Sequence, residues 1–408
     1  MRAARPNTRT GSQGARPVTE PSRPSAALSF FAAHQDEAID LLRRLVEIDS
    51  PTADKAGVDR VGALVAEEFR AAGARVVSIE SPSSGSPLRA EIPRVDGAAS
   101  RDPRPALLLG HLDTVWPTGE AARRPFRVEG SDACGPGVFD MKAGIVLCVL
   151  LARARQAGDF RPCLPVVCFF SSDEETGSPV SRPHLEREAR GARYVLGLEP
   201  SNPDGGAKTA RKGVGRIIVQ VEGRSAHAGI DPEKGVNAIE ELAAQILAIK
   251  LLEDRAAGTT VHAGLVSGGV AKNVVAPGAR AEFDVRVPSA GEWRRVETAA
   301  VNLRMRDPRA RVRVEAVLTH PPMERTAAVA SLYDRARAIA RQAGFDLKEG
   351  STGGGSDGSY CAALGVPVLD GLGVEGDGAH ALHERVRLDR IAPRAGLLAG
   401  ILETVEQA

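Results

Sequence analysis

The segment ALLLGHLDT, residues 106–114, joins a continuously apolar run to a histidine and an aspartate. Similar apolar runs recur at Pro165–Phe170, Tyr194–Leu198 and Val366–Leu369, with helical stretches between them. Strands that are buried on both faces carry such runs, and they are typical of sheets that helices cover on either side. The sequence therefore predicts a large α/β domain.

Further elements are predicted around these runs. Apolar residues have helical spacing over Phe30–Leu45 and over Val58–Ala72, where Gly73 provides a C-cap, and again over Met141–Arg155. The segment Ser81–Arg104 is rich in Ser, Pro, Gly and Arg. That composition predicts a surface loop or an irregular hairpin.

The middle of the chain has a different pattern. Strand-like segments lie at Arg216–Glu222, Val261–Val266, Ala281–Val287 and Arg311–Leu318, and helical spacing lies at Val236–Leu252 and Glu292–Met305. The order β-α-β-β-α-β is that of a ferredoxin-like unit. We therefore predict a small α+β domain at 212–321, inserted into a larger domain formed by 27–211 and 322–408.

Charge and composition disfavour several kinds of partner. Lys plus Arg number 53 and Asp plus Glu 52, so a net charge of +1 gives no field for nucleic acid or an anionic membrane. The longest apolar stretch, Ile145–Ala152, is too short to span a bilayer. Residues 1–26 have no apolar signal-like core, which favours a disordered tail over a processed targeting segment. Five cysteines without a CxxC pair predict buried free thiols and a cytoplasmic location.

Acidic and imidazole side chains follow each predicted strand of the large domain. They are His111 and Asp113, Glu174 and Glu175, Glu199, and His380, with Asp140 in a Gly-rich turn before a helix. Ligands of open α/β sheets bind in the crevice beyond the carboxyl ends of the strands. We therefore expect these side chains to meet at one edge of the sheet.

The number of these side chains favours two metal ions. One zinc needs only about three protein ligands, and this set exceeds that number. A carboxylate can bridge two cations, and Asp140 is the natural bridge. A zinc pair can lower the pKa of a shared water and polarise a carbonyl. One spare carboxylate, Glu174, would take the proton of that water and pass it to the leaving amine.

Simpler explanations exist for each residue taken alone. A lone HxD is usually a loop feature, an acidic DEE turn is usually solvated, and Glu199 could cap a helix. The glycines at Gly353–Gly355 with Asp357 could form a flexible turn or a phosphate-binding loop. Nucleotide binding there is disfavoured, because the strand–GxGxxG–helix context and a phosphate-binding lysine are missing from the sequence.

The combined motifs extend from about residue 30 to the C-terminus. They are HLDTV, GPGVFDMKAG, DEETGS, LEPS, RKGVG, GRSAHAG, GGVAKNVV, DVRVP, GGGSDGSY, LGVPVLDGLG and GAHALHERV. Together they resemble the glutamate carboxypeptidase branch of the zinc peptidases. That group also contains acetylornithine deacetylase, succinyl-diaminopimelate desuccinylase and the aminoacylases.

The resemblance implies a role for each matched residue. His111, Asp140 and Glu199 would hold one zinc, and Asp140, Glu175 and His380 the other. Glu174 matches the general base, and Asp113 matches the carboxylate that orients the His111 imidazole. The peptide after Asp140 is expected to be cis. His380 is chosen over His383 because it precedes the family's acid, here Glu384, by four residues.

The small domain would serve as lid and dimer interface. His227 matches a histidine that stabilises the tetrahedral oxyanion and that a partner subunit supplies, so the resemblance implies a homodimer. Asn273 and Arg286 match residues that hold a substrate carboxylate. Gly354 and Gly355 are further predicted substrate contacts.

Two positions depart from the family pattern. Relatives commonly have an arginine before PPMERT that is thought to grip a substrate carboxylate, and this chain has His320, which cannot bind a carboxylate with a bidentate fork. Cys134 replaces a usual aromatic residue before GPGVFD. A preference for glutamate does not follow from these residues, although His320 remains a predicted substrate contact.

Three functions remain open at this point. The first is a hydrolase with two Zn²⁺ per chain that releases a C-terminal amino acid, with glutamate as one candidate, from a small N-acyl or folyl-like amide. The second is an N-acyl-amino-acid deacylase of the acetylornithine deacetylase or aminoacylase type. The third is a non-catalytic binding protein on the same fold, which is disfavoured because all the ligand positions and the base are present.

Overall fold

The computed structural model describes residues 26–94 and 102–406, so the predicted tail lies, except for Ala26, outside the described residues. The helices are α1 (Ala26–Ala33), α2 (Gln35–Val46), α3 (Lys55–Ala71), α4 (Glu120–Arg123), α5 (Ala143–Ala157), α6 (Arg182–Gly191), α7 (Ala238–Lys250), α8 (Ala290–Val301), α9 (Ala327–Gln342), α10 (Asp357–Ala363) and α11 (Ile391–Thr404). The first eight strands are β1 (Arg75–Ser78), β2 (Leu88–Ile92), β3 (Ala106–His111), β4 (Arg127–Glu129), β5 (Asp132–Cys134), β6 (Val166–Ser171), β7 (Tyr194–Gly197) and β8 (Ala207–Arg211). The others are β9 (Gly213–Glu222), β10 (Thr260–Gly268), β11 (Gly278–Val287), β12 (Arg311–His320), β13 (Glu349–Thr352), β14 (Val368–Leu369), β15 (Gly376–Asp377) and β16 (Arg385–Arg387).

The largest sheet has six strands in the order β1-β2-β6-β3-β7-β14. Strands β6, β3, β7 and β14 run parallel, and β2 joins β6 antiparallel. Every residue of β3 and β6 is buried, because α2, α3, α5 and α11 contribute to the core on one side and α6 and α10 to a second core. The predicted α/β class is confirmed, and the four parallel strands end at the same edge.

The second sheet is antiparallel, with the order β10-β11-β9-β12. Its strands lie between residues 213 and 320, and α7 and α8 pack on it around Val219, Phe283 and Trp293. The chain order β9-α7-β10-β11-α8-β12 is β-α-β-β-α-β, as the sequence predicts. The α/β fold with a ferredoxin-like insertion is therefore present.

One prediction of local structure holds in part and another is wrong. Within Ser81–Arg104, of which residues 95–101 lie outside the described residues, Leu88–Ile92 is a strand of the main sheet that pairs antiparallel with β1, which agrees with the hairpin alternative and not with a surface loop. Phe30–Leu45 is not one helix, because the chain turns at His34, whose φ of −107° lies outside the helical region. The His34 ring stacks on Phe30 with centroids 3.9 Å apart and accompanies this break.

A small antiparallel sheet, β15-β16-β5-β4, connects two loops that matter for the site. Its hairpin β15–β16 carries the loop at 378–384, and β16 pairs with β5 so that Arg385 faces Cys134. The Gly-rich turn that follows Cys134 is therefore held beside the loop that carries His380.

In the described ranges, 26–94 and 102–406, no helix is long and apolar enough to cross a bilayer. The five cysteines, which all lie in these ranges, are buried and unpaired, as the sequence predicts.

Candidate metal centre

Three neighbouring parallel strands deliver side chains to one edge of the main sheet. His111 is the last residue of β3, Glu174 and Glu175 form a 3₁₀ turn three residues after β6, and Glu199 follows β7 by two residues. Because β3 lies between β6 and β7, the side chains converge although their segments are far apart in sequence.

Two groups of potential metal ligands form there and share one residue. In the first group, His111 Nε2 lies 3.2 Å from Asp140 Oδ1 and 3.7 Å from Glu199 Oε1. In the second, His380 Nε2 lies 3.2 Å from both Asp140 Oδ2 and Glu175 Oε2. The ligand atoms of each group lie within 4.8 Å of one another. Each oxygen of Asp140 thus faces a different imidazole.

The donor chemistry fits two divalent cations. Each group combines one imidazole nitrogen with two carboxylates, which is a usual set for zinc. Glu175 Oε1 is buried and has no hydrogen-bond partner within residues 26–94 and 102–406. A buried polar atom is costly without a partner, and a cation beside Glu175 would supply one.

The electrostatics of the site also favour cations. Burial, followed by repulsion from Asp140, raises the pKa of Glu199 to about 8. Burial and the charge of Glu199 raise the pKa of Glu174 well above its ordinary value. The hydrogen bonds that the His380 imidazole donates to the carboxylates of Asp140 and Glu175 raise the pKa of His380 to about 10. Bound cations would relieve the repulsion among these carboxylates.

Asp113 connects two of the ligand-bearing loops. His111 Nδ1 lies 2.9 Å from the backbone oxygen of Asp113 and 3.4 Å from its Oδ1. The carboxylate also accepts hydrogen bonds from the backbone N–H groups of Glu174, at 3.1 Å, and Glu175, at 3.2 Å. Thr52 Oγ1 donates a further bond of 2.6 Å to it. The contacts of Asp113 thus orient the His111 ring and hold the Glu174 turn.

The Asp140 and His380 loops both have unusual backbone conformations. The Asp140–Met141 peptide is cis, as the resemblance implies. His380 has a φ of +62°, a left-handed conformation that side chains other than glycine rarely adopt. His383 lies outside both ligand groups, with Nε2 3.7 Å from Asp377 Oδ2. The choice of His380 over His383 agrees with this geometry.

A cavity of about 1020 Å³ opens onto the two ligand groups and extends to the inserted α+β domain. Glu174, which belongs to neither group, lines it beside Asp140, Glu175 and Glu199. The inserted domain contributes the end of β12, including Thr319 and His320. Cationic side chains line other parts of the cavity, and they are Arg182, Lys208, Arg211 and Arg286.

The predicted substrate contacts divide into two sets. Gly354, Gly355, Arg286 and His320 line this cavity. The guanidinium of Arg286 donates two hydrogen bonds to the carboxylate of Asp284, from Nε to Oδ1 and from Nη2 to Oδ2, each 2.8 Å long. In the part of the chain that the structure describes, His227 and Asn273 do not line this cavity, and both side chains are exposed to solvent. They lie together, since the backbone N–H of Ala228 donates to Asn273 O at 3.0 Å.

His320 is packed rather than free. Its ring stacks on Tyr360 with centroids 5.2 Å apart, and the guanidinium of Arg182 lies 4.3 Å from the centre of the Tyr360 ring. Burial, together with the charges of Arg286, Arg182 and Arg211, lowers the pKa of His320. A neutral imidazole therefore occupies the position where the family pattern has a cation.

Sequence reasoning missed several residues at the site. Arg211 pairs with buried Asp370 at 2.7 Å and donates to the carbonyl oxygens of Gly354 and Gly355, so it holds the glycine loop. Arg211 is the first residue of the RKGVG motif, so the sequence could have identified it as a site residue. Arg182 follows a serine in an ordinary polar segment, and no local pattern distinguishes it.

Comparisons with known proteins identify the family of the chain. The family model described as peptidase family M20/M25/M40 matches residues 107–404. The chain belongs to this family. Carboxypeptidase G2 of Pseudomonas sp. (strain RS-16) is 31% identical to the chain over 361 residues, which cover 86% of each protein. As a member of peptidase family M20/M25/M40, the chain is a metal-dependent hydrolase.

Two solved structures share the fold of this M20/M25/M40 member. Aminopeptidase PepT from Bacillus cereus ATCC 10987 superposes with a TM-score of 0.76 at 22% identity, covering 90% of this chain and 98% of PepT. The YXEP protein of Bacillus subtilis, described as a dinuclear metal-binding peptidase from the M20 family, has a TM-score of 0.65 at 15% identity. That match covers 92% of this chain and 100% of YXEP.

Proposed function

We propose that this chain is a two-zinc hydrolase that releases a C-terminal amino acid from an N-acyl or folyl-like amide. One observation carries the proposal: two ligand groups share Asp140, and Glu174 stands beside them on the wall of a large cavity. The similarity to carboxypeptidase G2 over 86% of both proteins supports a carboxypeptidase over other hydrolases of the family.

In this proposal His111, Asp140 and Glu199 hold one cation, and Asp140, Glu175 and His380 hold the other. Two bound cations would supply Lewis acidity towards the substrate carbonyl and make a water molecule more acidic. Glu174 would accept the proton of that water and deliver it to the leaving nitrogen. Asp113 would keep the Glu174 turn in place through its backbone N–H contacts.

The cavity supports a substrate with a free carboxylate. Arg182, Lys208 and Arg286 line the cavity, and an amino acid released from a C-terminal amide carries a carboxylate that such cations bind. Because His320 is neutral, recognition of a second carboxylate, as in glutamate, would have to come from another of these groups. Glutamate is therefore one candidate among the released amino acids.

We further propose that residues 212–321 are a lid and dimerisation domain attached to a catalytic domain at 27–211 and 322–408. Strand β10 is at an edge of its sheet, and Leu265 and Val266 on it are 65% and 70% exposed. A long, apolar edge strand is a natural site for pairing with a second copy. Such a dimer would let the partner subunit's His227 reach the oxyanion. Buried free cysteines support a cytoplasmic location.

Metal analysis and a substrate panel test the proposal. Purified protein should contain two zinc ions per chain, and chelation should abolish hydrolysis that zinc restores. The panel compares folyl-glutamate, N-acyl-glutamate, N-acyl-leucine and N-acetylornithine. Turnover of N-acetylornithine alone would favour the deacylase alternative. If the protein contains no metal as purified, and binds these amides without cleaving them even after zinc is added, the non-catalytic alternative is favoured.

A further inference from the structure

The buried carboxylate of Glu384 lies where three segments of the candidate metal centre meet. Glu384 Oε1 accepts the backbone N–H groups of Phe139, at 2.9 Å, and Asp140, at 3.0 Å. Its Oε2 accepts the backbone N–H of Gly137, at 2.8 Å, and the indole N–H of Trp116, at 2.7 Å. Glu384 is 1% exposed, and these four donors match the acceptor capacity of one carboxylate.

Each segment that Glu384 joins carries a residue of the ligand groups. Trp116 follows His111 by five residues in the loop after β3. The turn that contains Gly137 and Phe139 ends at Asp140, which both groups share. Glu384 itself follows His380 by four residues in the β15–β16 loop. One side chain therefore connects the backbones that carry His111, Asp140 and His380.

Arg124 strengthens the same connection from outside. Its guanidinium lies 4.0 Å from the centre of the Trp116 ring, and its Nη1 donates to the backbone oxygen of Leu382 at 3.0 Å. Glu120 pairs with Arg124 Nε at 2.5 Å and keeps it in this position. The loop between His380 and Glu384 is thus attached to the Trp116 segment at two points.

We propose that Glu384 is a positioning residue that sets the separation of the two cation sites. The proposal rests on the proposed function, because it concerns the same two ligand groups. Asp140 can serve both groups only if its backbone is fixed relative to the His380 loop. Glu384 is itself part of that loop, and its carboxylate accepts the hydrogen bond from the Asp140 backbone N–H. Partners behind the metal ligands commonly change metal affinity about 10- to 100-fold when they are mutated.

Two substitutions separate this role from general stability. Glu384→Gln keeps the shape of the side chain but replaces one acceptor oxygen by an N–H₂ group, which opposes the backbone or indole donors. Trp116→Phe removes a single donor and keeps an aromatic ring under Arg124. Glu47→Gln is the matched control, because Glu47 is an exposed residue directly after α2 and pairs with Arg43 at 2.9 Å.

The experiment titrates metal-free full-length protein with Co²⁺. Calorimetry measures the affinity of each site, and visible absorption reports the coordination of the bound ions. Glu384→Gln should weaken the weaker of the two Co²⁺ sites about 10- to 100-fold and alter the absorption of the fully loaded protein. Trp116→Phe should weaken the same site measurably, by up to about tenfold, because it removes one of the four donors. The control should match the wild type. Circular dichroism of the metal-free variants verifies that they are folded. If Glu384→Gln does not fold, the Co²⁺ titration of Trp116→Phe tests the proposal in its place.

Distinct outcomes overturn distinct proposals. If Glu384→Gln lowers the melting temperature but binds both Co²⁺ ions with wild-type affinity and spectrum, its role is only structural and the positioning proposal is wrong. If Trp116→Phe is the deciding variant, unchanged affinity and spectrum reject the proposal in the same way. If the wild type itself fails to bind two ions, the proposed function fails instead.

Discussion

Exchanging either of two adjacent glutamates for glutamine should lower turnover, but only the exchange of Glu175 should also remove metal. Glu174 belongs to neither ligand group, whereas Glu175 Oε2 lies 3.2 Å from His380 Nε2 in the second group. Glutamine has nearly the same shape as glutamate, and the backbone N–H of residue 174 would still donate to Asp113. Glu174→Gln should therefore keep both zinc ions and lose only the proton acceptor.

The magnitude follows from the role of Glu174. Burial and the charge of Glu199 raise the pKa of Glu174 well above its ordinary value, and cations bound beside these carboxylates would lower it again. A positioned general base contributes about 10²- to 10⁴-fold to turnover, or roughly 3–5 kcal/mol of activation free energy. We expect kcat of Glu174→Gln to fall by that factor with KM little changed.

The assay measures kcat, KM and zinc content for the wild type and both variants. Glu175→Gln should lose about one zinc per chain, because its second ligand group loses a carboxylate. Glu174→Gln that keeps more than a tenth of wild-type kcat would refute the assigned base. If both variants lose the same amount of zinc, the assignment of Glu174 as the base and Glu175 as a metal ligand is wrong.

Three other predictions address the dimer, the pocket and acid stability. Mixing inactive His227→Ala with inactive Glu175→Gln should restore about a quarter of wild-type activity through mixed dimers, and no recovery would mean that His227 does not cross between subunits. His320→Arg should lower KM for N-acyl-glutamate relative to N-acyl-glutamine, and an unchanged ratio would remove residue 320 from side-chain recognition. Contacts led by Lys250 lower the pKa of Glu253 to about 2, so its stabilisation is present above its unfolded pKa and is lost as the pH falls towards 2. Glu253→Gln should accordingly lower the melting temperature at pH 7 more than at pH 3, and equal effects would contradict this linkage.

The predicted elements succeeded where burial leaves a clear pattern. Strands β3 and β6 are buried at every residue, so their sequences are continuously apolar. Strand β2 was not distinguished from loop because its sequence, LRAEI, alternates with charged residues inside a segment rich in Ser and Pro. The break at His34 was missed because apolar spacing continues through it, and only a local ring stack and backbone turn mark it.

The sequence by itself determined the chemical types at the site, because imidazoles and carboxylates placed directly after apolar strands are visible without coordinates. Only the tertiary structure decided which of them meet. Strand β3 lies between β6 and β7, an order that the chain sequence does not encode locally, and this order brings His111 between Glu174 and Glu199. The role of Glu384 likewise arises from hydrogen bonds across 245 or more residues to Phe139 and Gly137, which no local pattern can express.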